Sequence, residues 1–391
     1  MKTIVILGST GSIGKSLLKI INKDKKSFNI KLLTAHKNYK QLLRQAKLFK
    51  VKKVILTDKK TYNLKKENFT KNNISVFNNF SELGKILTNK VDYVMSAIVG
   101  LDGLEPTLKL IKYTKNIAIA NKESIICGWN LINKSLKINK TNFIPVDSEH
   151  FSIWYALNKK FKTTNVKRIY LTASGGPLLN ISNKKLNKIK LSQVLKHPNW
   201  NMGKKISVDS STMMNKIFEV IEAKKIFNIK YNQLSILIHP DSYIHAIVEF
   251  KNRMISIIAH DTTMDIPIYN TLFDDNKSYI LDKSYSLDLN KLNSLSLKNV
   301  QLKKFPVVKI LNLLPSKSSL FETALVAAND ELVNLYLKNK IRYNDISSLL
   351  IKEISKKYIM IMKKKSPTKV SSILNVTNLV RSRINQQIHI K

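Results

Sequence analysis

The chain has 391 residues, enough for two or three domains with cores of their own, and its 43% hydrophobic and 24% charged residues mark it as globular rather than disordered. A single cysteine, Cys127, excludes a disulfide framework and a cysteine-rich metal site. The formal charge of +41 invites a nucleic-acid reading, but the lysines are scattered over nearly every segment rather than gathered in a stripe, so no nucleic-acid partner is expected and the excess favours anionic small molecules at most.

In chain order, Met1 leads straight into a strand-like run, TIVILG, so no targeting segment is expected. No apolar run is long enough to span a bilayer, and a cytoplasmic soluble protein with no membrane partner is the expectation. From residue 1 to 147, TIVILG, NIKLLTA, KKVILTD, ISVFNN, DYVMSAIVG, NIAIAN and FIPVD alternate with polar, helix-like runs, which predicts a parallel α/β sheet. ILGSTGSIG places Gly8, Gly11 and Gly14 at the first strand-to-helix turn, where a bare backbone and a helix N-terminus can receive a pyrophosphate. An ordinary βα turn carries such glycines too; the alternating strands and helices that follow supply the context the motif requires. Where NAD enzymes end the second strand with an acid, NIKLLTA runs into His36, Lys37 and Asn38. A cation there suits a ribose 2′-phosphate, so NADPH is expected over NADH, with a solvated turn lysine as the competing explanation. ANKES, Ala120 to Ser124, follows a buried-looking strand at the carboxyl end of the sheet, where ligands bind in such folds.

VDSEH sets Asp147 and Glu149 two residues apart, on one face if the segment is extended. Paired hard oxygens suit Mg²⁺ or Mn²⁺, although D-x-E alone equally describes an exposed acidic pair. From 148 to 275 the texture changes: KRIYLTAS, QLSILIHP, YIHAIVEF and MISIIAH read as longer strands with helices between them, a mixed α+β domain. TASGGP ends the first of these with Ser174, a phosphate donor or part of a tight turn. HPNWNMGKKISVDSSTMMNK, His197 to Lys216, is too polar for core and too rich in Trp and Met for a plain loop, so it reads as a substrate clamp. In it Ser210, Asn215 and Lys216 offer hydroxyl, amide and ammonium donors to a phosphate. Asn215 and Glu219 lie four apart and Lys216 and Glu219 three apart, sharing a helical face, so Glu219 can complete an acidic metal set; Glu222, a turn further on, ranks below it. An amphipathic helix with an ordinary Lys–Glu pair is the competing description. Residues 276–300 are polar and weakly patterned, a connector. Residues 301–391 are helical: SLFE, Ser319 to Glu322, is a capping box, and Asp345 can cap a second helix with Ile346, Leu349, Leu350, Ile354 and Tyr358 on one face.

GSTGSIG, ANKES, VDSEH, SGGP, HPNWNMGKKISVDSSTMMNK and HPDSYIHAIVEF occur in that order, and ETALVAANDE follows from Glu322. With them the chain resembles the 1-deoxy-D-xylulose 5-phosphate reductoisomerase family nearly end to end, most densely from residue 116 to 250. The resemblance implies an α/β protein with an N-terminal Rossmann-like domain (1–147), a central α+β catalytic domain with a flap (148–275), the connector (276–300) and a C-terminal helical domain (301–391). It implies a homodimeric enzyme of non-mevalonate isoprenoid synthesis. Such an enzyme rearranges the sugar phosphate 1-deoxy-D-xylulose 5-phosphate, by retro-aldol and aldol steps or by a 1,2-shift, and reduces the product with NADPH to 2-C-methyl-D-erythritol 4-phosphate, using Mg²⁺, Mn²⁺ or Co²⁺. Carried over by position, Thr10, Gly11, Ser12 and Ile13 look like the pyrophosphate turn, with His36, Lys37 and Asn38 beside the adenosine end. Asn121 and Glu123 would meet the nicotinamide half, and Gly203 would touch NADPH from the flap. Asp147, Glu149 and Glu219 look like metal ligands. Lys122, Ser148, Glu149, Ser174, His197, Ser210, Asn215, Lys216 and Glu219 look like substrate contacts, and Lys122, Asp147, Glu149, Glu219 and His197 the catalytic set. Hydride transfer needs a dry site, so a closing flap is expected, with Trp200 a rigid lid, Met202 an adaptable one and Gly203 a pliable joint.

Three departures stand out. His36 occupies a position the family usually gives to Gly, AHDTTMDIPI lacks the family's P-D-M-R run, and LFDDNK is altered, which bears on lid support and dimer contacts more than on the metal set. His239 and His245 read as structural or interfacial, and His197 before Pro198 admits a structural role. The rival readings are a semialdehyde or homoserine dehydrogenase, the former with Cys127 as thioester nucleophile, and a basic nucleic-acid-binding protein without catalysis.

Overall fold

The structure, a computed structural model, describes residues 1–200, 202–273 and 288–389. The chain divides into two compact units. The first takes Met1–Ile125, Leu131–Asp147 and the described part of Met264–Ser286; the second takes Ile126–Asn130, Ser148–Thr263 and the described part of Leu287–Lys391.

All seven strands expected in the first unit form: β1 (Lys2–Leu7), β2 (Phe28–Ala35), β3 (Lys53–Leu56), β4 (Ser75–Phe77), β5 (Val91–Ser96), β6 (Thr114–Ile119) and β7 (Asn142–Pro145). They make one parallel sheet in the order β4-β3-β2-β1-β5-β6-β7. Ile4 to Leu7 are wholly buried, as a strand covered on both faces requires. Helices of eight residues or more are α1 (Ser12–Lys23), α2 (Tyr39–Leu48), α3 (Lys59–Thr70), α4 (Leu104–Ile111) and α5 (Lys122–Asn139). Side chains start three of them: Asn38 accepts from the Gln41 N–H at 3.1 Å, Asp58 from Thr61 at 2.9 Å and Asn121 from Ser124 at 2.7 Å. Strand order reverses between β1 and β5, the switch point at which open α/β sheets receive ligands.

The second unit opens with α6 (Ser148–Ala156) and builds a mixed sheet from β8 (Val166–Ala173), β9 (Leu234–Ile238), β10 (Ile244–Phe250), β11 (Ile255–Ala259) and β12 (Lys298–Asn299), in the order β11-β10-β8-β9-β12. Only the β8–β9 pair is parallel. Helices α7 (Lys204–Ser211) and α8 (Met214–Phe227) lie between β8 and β9 in the chain.

Two expected boundaries move. After β11 the chain returns to the first unit with α9 (Asp265–Leu272), where Ile268, Tyr269, Leu272 and Phe273 join Ile4, Leu17, Leu33 and Phe69 in one buried cluster. The Tyr93 hydroxyl meets Thr271 at 2.7 Å in that core, and Lys2 Nζ donates to the Leu272 carbonyl at 2.7 Å. The central domain therefore gives up its last described residues, because the apolar face of α9 is buried against the parallel sheet. The connector is also more regular than expected. Residues 274–287 lie outside the described residues, and with them most of LFDDNK; then come a short helix, Leu289–Asn293, capped by Asp288, and β12, paired antiparallel to β9. A two-residue edge strand and a five-residue helix are too short to leave an apolar period.

Among the described residues the remaining α-helices of eight residues or more are α10 (Leu320–Leu337), α11 (Tyr343–Ile354) and α12 (Val370–His389). The Ser319–Glu322 capping box forms as expected: Phe321 N–H donates to Ser319 Oγ at 3.1 Å and Ser319 N–H to Glu322 Oε2 at 3.0 Å. Asp345 is not the cap of α11. Arg342 holds that position and Asp345, three residues on, accepts its N–H at 2.8 Å. Ile346, Leu350 and Ile354 are buried, Leu349 is half-buried, and Tyr358 lies beyond the helix end. No described helix is long and apolar enough to cross a membrane.

The β1–α1 turn generates a test. A Cβ on Gly14 would stand 2.5 Å from the Gly8 carbonyl oxygen and 2.6 Å from Ser9 Cα, both backbone. Gly14→Ala should lower stability by about 1–3 kcal/mol, read as the shift of the urea unfolding midpoint. A shift equivalent to less than about 0.5 kcal/mol would mean the turn yields freely.

Candidate active site

At the end of β1 the backbone turns at Gly8, φ +75°, where a Cβ would meet the Ala97 carbonyl oxygen at 2.7 Å. Gly11 precedes α1 without a side-chain cap, and no acid stands in that helix's first turn. Thr10, Gly11, Ser12 and Ile13 are exposed or half-buried, so the N–H groups and positive end of α1 are presented at the switch point.

Exposed His36 and Lys37 follow β2. His36 Nδ1 lies 3.0 Å from Thr57 Oγ1. A carboxylate is nonetheless near: Asp58, after the neighbouring β3, donates its N–H to the His36 carbonyl at 3.1 Å. Hydrogen bonds from Thr61 hold the Asp58 carboxyl below its ordinary range, and Lys37 and His36 add to the effect. Its oxygen Oδ1 is engaged by Thr61, and Lys37 remains exposed. Asn38 caps α2. Asn121 caps α5 while its Nδ2 donates to the carbonyls of Ile98 and, at 2.6 Å, Gly100, so it shapes the loop after β5. Glu123 is buried in the first turn of α5. In the same unit Lys122 Nζ stands 3.3 Å from Asp147 Oδ2.

The second unit gathers the acids. The expected extended course of VDSEH does not hold: β7 ends at Pro145, Asp147 sits in a bend, and Glu149 is in the first turn of α6. Acidic and hydroxyl residues satisfy the open N–H groups of a helix start, which outweighs strand alternation here. Facing Glu149 is α8, whose N-cap Met213 adopts a left-handed φ of +68°, fixed by its N–H on the Ser210 carbonyl at 3.1 Å. That kink aims Asn215, Lys216 and Glu219 together. Lys216 Nζ donates to Glu149 Oε1 at 2.7 Å and pairs with Glu219 Oε2; Asn215 Nδ2 donates to Glu219 Oε1; Ser148 Oγ donates to Glu149 Oε2 at 2.6 Å. Oxygens of Glu149 and Glu219 lie within 4.8 Å of each other. Lys216 is 4% and Glu219 1% exposed. Two carboxylates this close and this dry require a cation. Burial works to lower the Lys216 pKa, but Glu149 and Glu219 overcome it and hold the ammonium protonated above its usual value. The cluster keeps one net negative charge among hard oxygen donors, the chemistry that suits a small divalent cation.

Behind it is a layer the sequence reading passed over. His150 is fully buried, with Nε2 2.9 Å from the Glu219 carbonyl and Nδ1 3.9 Å from Glu222 Oε2. A carbonyl only accepts, so Nε2 carries the proton. The available signal was spacing: His150 follows Glu149 directly, and Glu222 stands three residues after Glu219.

The clamp is built from turns. Ser174 follows β8, and Gly175 and Gly176 have φ of +80° and +69°. A Cβ on Gly176 would meet Ser211 Cα at 2.8 Å and the Ser210 carbonyl oxygen at 2.9 Å, so the SGGP turn and the end of α7 adjoin. His197 Nδ1 accepts from the N–H groups of Asn199, 3.2 Å, and Trp200, 3.0 Å, and Nε2 lies 3.0 Å from Ser174 Oγ. With Nδ1 accepting twice, the ring proton is on Nε2 and points at Ser174. Gly176 N–H also donates to Ser174 Oγ, at 3.0 Å. Both lone pairs of that oxygen are thereby occupied, and its own O–H is turned outward as a donor for an oxyanion. Burial pushes the His197 pKa down to about 4, which keeps the acceptor available at neutral pH. Asn199 Nδ2 donates to the Pro240 carbonyl at 2.5 Å and to Ser242 Oγ at 3.0 Å. Trp200 lies edge-on to His245, ring centres 6.1 Å apart. Met202 is half-buried. Gly203 is exposed at the start of α7 with an ordinary φ of −64°, so no strain there requires glycine, and a Cβ would meet nothing within 4 Å. His239 and His245 are buried, Nδ1 of the first 3.0 Å from the Ser296 carbonyl and Nε2 of the second 3.1 Å from that of His260.

Family models described as 1-deoxy-D-xylulose 5-phosphate reductoisomerase match residues 4–128, its C-terminal domain residues 143–227, and a DXP reductoisomerase C-terminal domain residues 261–383. The 1-deoxy-D-xylulose 5-phosphate reductoisomerase of Pelagibacter ubique (strain HTCC1062) is 54% identical over 387 residues, 98% of this chain and 99% of that one. Its namesake from Clostridium tetani is 35% identical over 99% of this chain and all of its own length. Among solved structures, a DOX-P reductoisomerase in complex with NADPH, fosmidomycin and magnesium covers all of this chain and 99% of its own, at 30% identity and a TM-score of 0.90. The enzyme from Zymomonas mobilis in complex with NADPH covers 99% of each chain, at 29% identity and a TM-score of 0.85.

The His197 geometry predicts a titration. Because the folded pKa is depressed, the imidazole stays neutral below its unfolded value, and the latch it makes is lost only as pH falls toward about 4. Ring NMR of selectively labelled histidine, assigned with His197→Gln, should show no titration of this residue between pH 7 and 5.5. A midpoint near 6.5 would mean that Nδ1 is not holding the two N–H groups.

Proposed function

The chain belongs to the 1-deoxy-D-xylulose 5-phosphate reductoisomerase family, and on that premise we propose how its own residues carry the reaction. The protein is an NADPH- and divalent-metal-dependent oxidoreductase that converts 1-deoxy-D-xylulose 5-phosphate to 2-C-methyl-D-erythritol 4-phosphate. The observation that carries the residue assignment is the buried Glu149–Lys216–Glu219 cluster. When bound, the cation polarises the substrate's ketone and hydroxyl oxygens and NADPH supplies the hydride.

Glu149 and Glu219 hold the cation, and Asp147, joined to Glu149 through Ser148 alone, completes the set. Magnesium, which is present in the solved relative's complex, suits such oxygens, and manganese or cobalt can replace it. Lys216 neutralises the two carboxylates and, with Asn215, Ser210 and Ser174, grips the substrate's phosphate and hydroxyls; Ser148 and Lys122 complete the contacts. His197 acts chiefly by aiming Ser174 and fixing the turn that carries Trp200. Trp200 and Met202 close over the substrate and exclude water, with Gly203 at the hinge and against the cofactor. The N-terminus of α1, at Thr10 to Ile13, receives the pyrophosphate; His36, Lys37 and Asn38 take the adenosine 2′-phosphate, and Asn121 and Glu123 position the nicotinamide half. A homodimer is supported by edge strand β11, where Ile255 and Ile257 are 58% and 51% exposed, with Met254 just before it 64% exposed, and an apolar strand edge invites pairing. The lone cysteine of the chain, Cys127, is buried, which fits a reducing cytoplasm. Its burial within α5 removes it as the nucleophile of a semialdehyde dehydrogenase.

Purified protein mixed with NADPH, Mn²⁺ and 1-deoxy-D-xylulose 5-phosphate should consume NADPH and yield 2-C-methyl-D-erythritol 4-phosphate; NADPH loss without that product would overturn the reading. Asp147→Asn should cut turnover by at least ~100-fold with NADPH affinity nearly intact, and retained metal-dependent activity would remove Asp147 from the set. Lys37→Glu should weaken NADPH binding by about tenfold or more and NADH far less, whereas equal losses would refute the 2′-phosphate assignment. Cys127→Ser should keep full activity.

A further inference from the structure

AHDTTMDIPI, which departs from the family pattern, has no part in the reaction as set out above, yet its one histidine, His260, stacks on a ring that meets Trp200. Three rings follow one another inside the second unit. His260 stacks on His245 with ring centres 3.8 Å apart and planes 21° apart. His245 receives the Trp200 indole edge-on at 72°. The β10–β11 ladder is irregular between Ile244 and Ala246, which re-aims His245 at that point. His245 Nε2–H donates to the His260 carbonyl at 3.1 Å, and His260 N–H donates to the Tyr243 carbonyl at 3.0 Å, so the two rings are held in register by backbone. The corner beyond is pinned as well: His260 Nδ1 lies 2.8 Å from the Asp261 carbonyl, and Lys291 Nζ meets Asp261 Oδ1 at 2.6 Å while lying over the Tyr243 ring. Burial first, and His245 second, push the His260 pKa down to about 3, so its ring is uncharged at neutral pH.

We propose that His260 is a positioning residue of the flap: acting through His245, its ring sets the resting place of the Trp200 indole. The proposal rests on the reading of Trp200 as the lid. It divides the work of the clamp in two. His197 and Asn199 latch the main chain of the turn, through the Trp200 N–H and through Pro240 and Ser242. The imidazole stack holds the indole. Aromatic contacts of this kind are strong enough to bias a side chain and weak enough to release it when substrate offers a competing surface.

The test uses the full chain without substrate or cofactor. The Trp200 signal is isolated as the difference between each variant and the same variant carrying Trp200→Phe, leaving Trp129 and Trp154 as internal controls. In His260→Ala the acrylamide quenching constant of Trp200 should rise about twofold, and the KM for 1-deoxy-D-xylulose 5-phosphate should rise about fivefold with kcat within about twofold. His260→Phe, which keeps a stacking face, should restore both values. His260→Leu, of similar bulk without a π face, should behave as Ala does and serves if the smaller variant fails to fold. Unchanged quenching and KM in the Ala and Leu variants, or Phe no better than Leu, would overturn the proposal. Quenching is read with no turnover, so the stack is judged even if the substrate assignment fails, and that assignment is judged by product formation in the unsubstituted protein.

Discussion

Two carboxylates, Glu149 and Glu219, are held within 4.8 Å of each other in a nearly dry part of the second unit, and the ammonium of Lys216 is the group that lets them be there. Unpaired charge of one sign in such a place would drive protonation or local unfolding. Satisfying that constraint organises much around it. The left-handed Met213 sets the direction of α8, and Asn215 and Ser148 occupy further carboxylate oxygens. His150 ties the backbone of Glu219 to the first turn of α6. The result is a polar cluster tied by hydrogen bonds and ion pairs yet still net negative, the chemistry that suits a divalent cation.

The phosphate side works by the opposite means. There the protein adds oriented neutral donors to the charge of its lysines. Ser174 has its acceptor capacity filled by Gly176 and His197, which turns its hydroxyl hydrogen outward, and the open first turn of α1 leaves its N–H groups unengaged by any side-chain cap. Both devices offer oriented dipoles suited to an oxyanion, which lose little to salt screening compared with the exposed lysines scattered over the surface. The charge of +41 therefore bears on encounter with anionic ligands more than on their recognition.

Much of this was legible in the residues because the physics is local. The seven parallel strands were found from β-rich runs, Gly8 and Gly14 from a turn that leaves no room for a Cβ, and the Ser319–Glu322 box from a hydroxyl and an acid three apart. The alignment of Asn215, Lys216 and Glu219 followed from helical spacing. Other features misled because two local rules competed. The spacing in VDSEH suits an extended run, but a helix start claims Ser148 and Glu149; Asp345 suits a cap, but stands three residues inside. Asp58 and His260 had no local signal, since each matters through a residue far away in the chain or on another strand.

The sequence alone determined the α/β class, the nucleotide-binding turn, the family and the identity of the acids, because each depends on backbone sterics, on periodicity or on motifs within a few residues. Tertiary structure alone decided that α9 returns to the parallel sheet, that β12 joins the edge of the second sheet, and that Lys216 rather than solvent balances Glu149. It also decided that His260 reaches the flap through a second ring. Those outcomes depend on which buried surfaces meet and on the low dielectric between them, and no spacing along the chain encodes that directly.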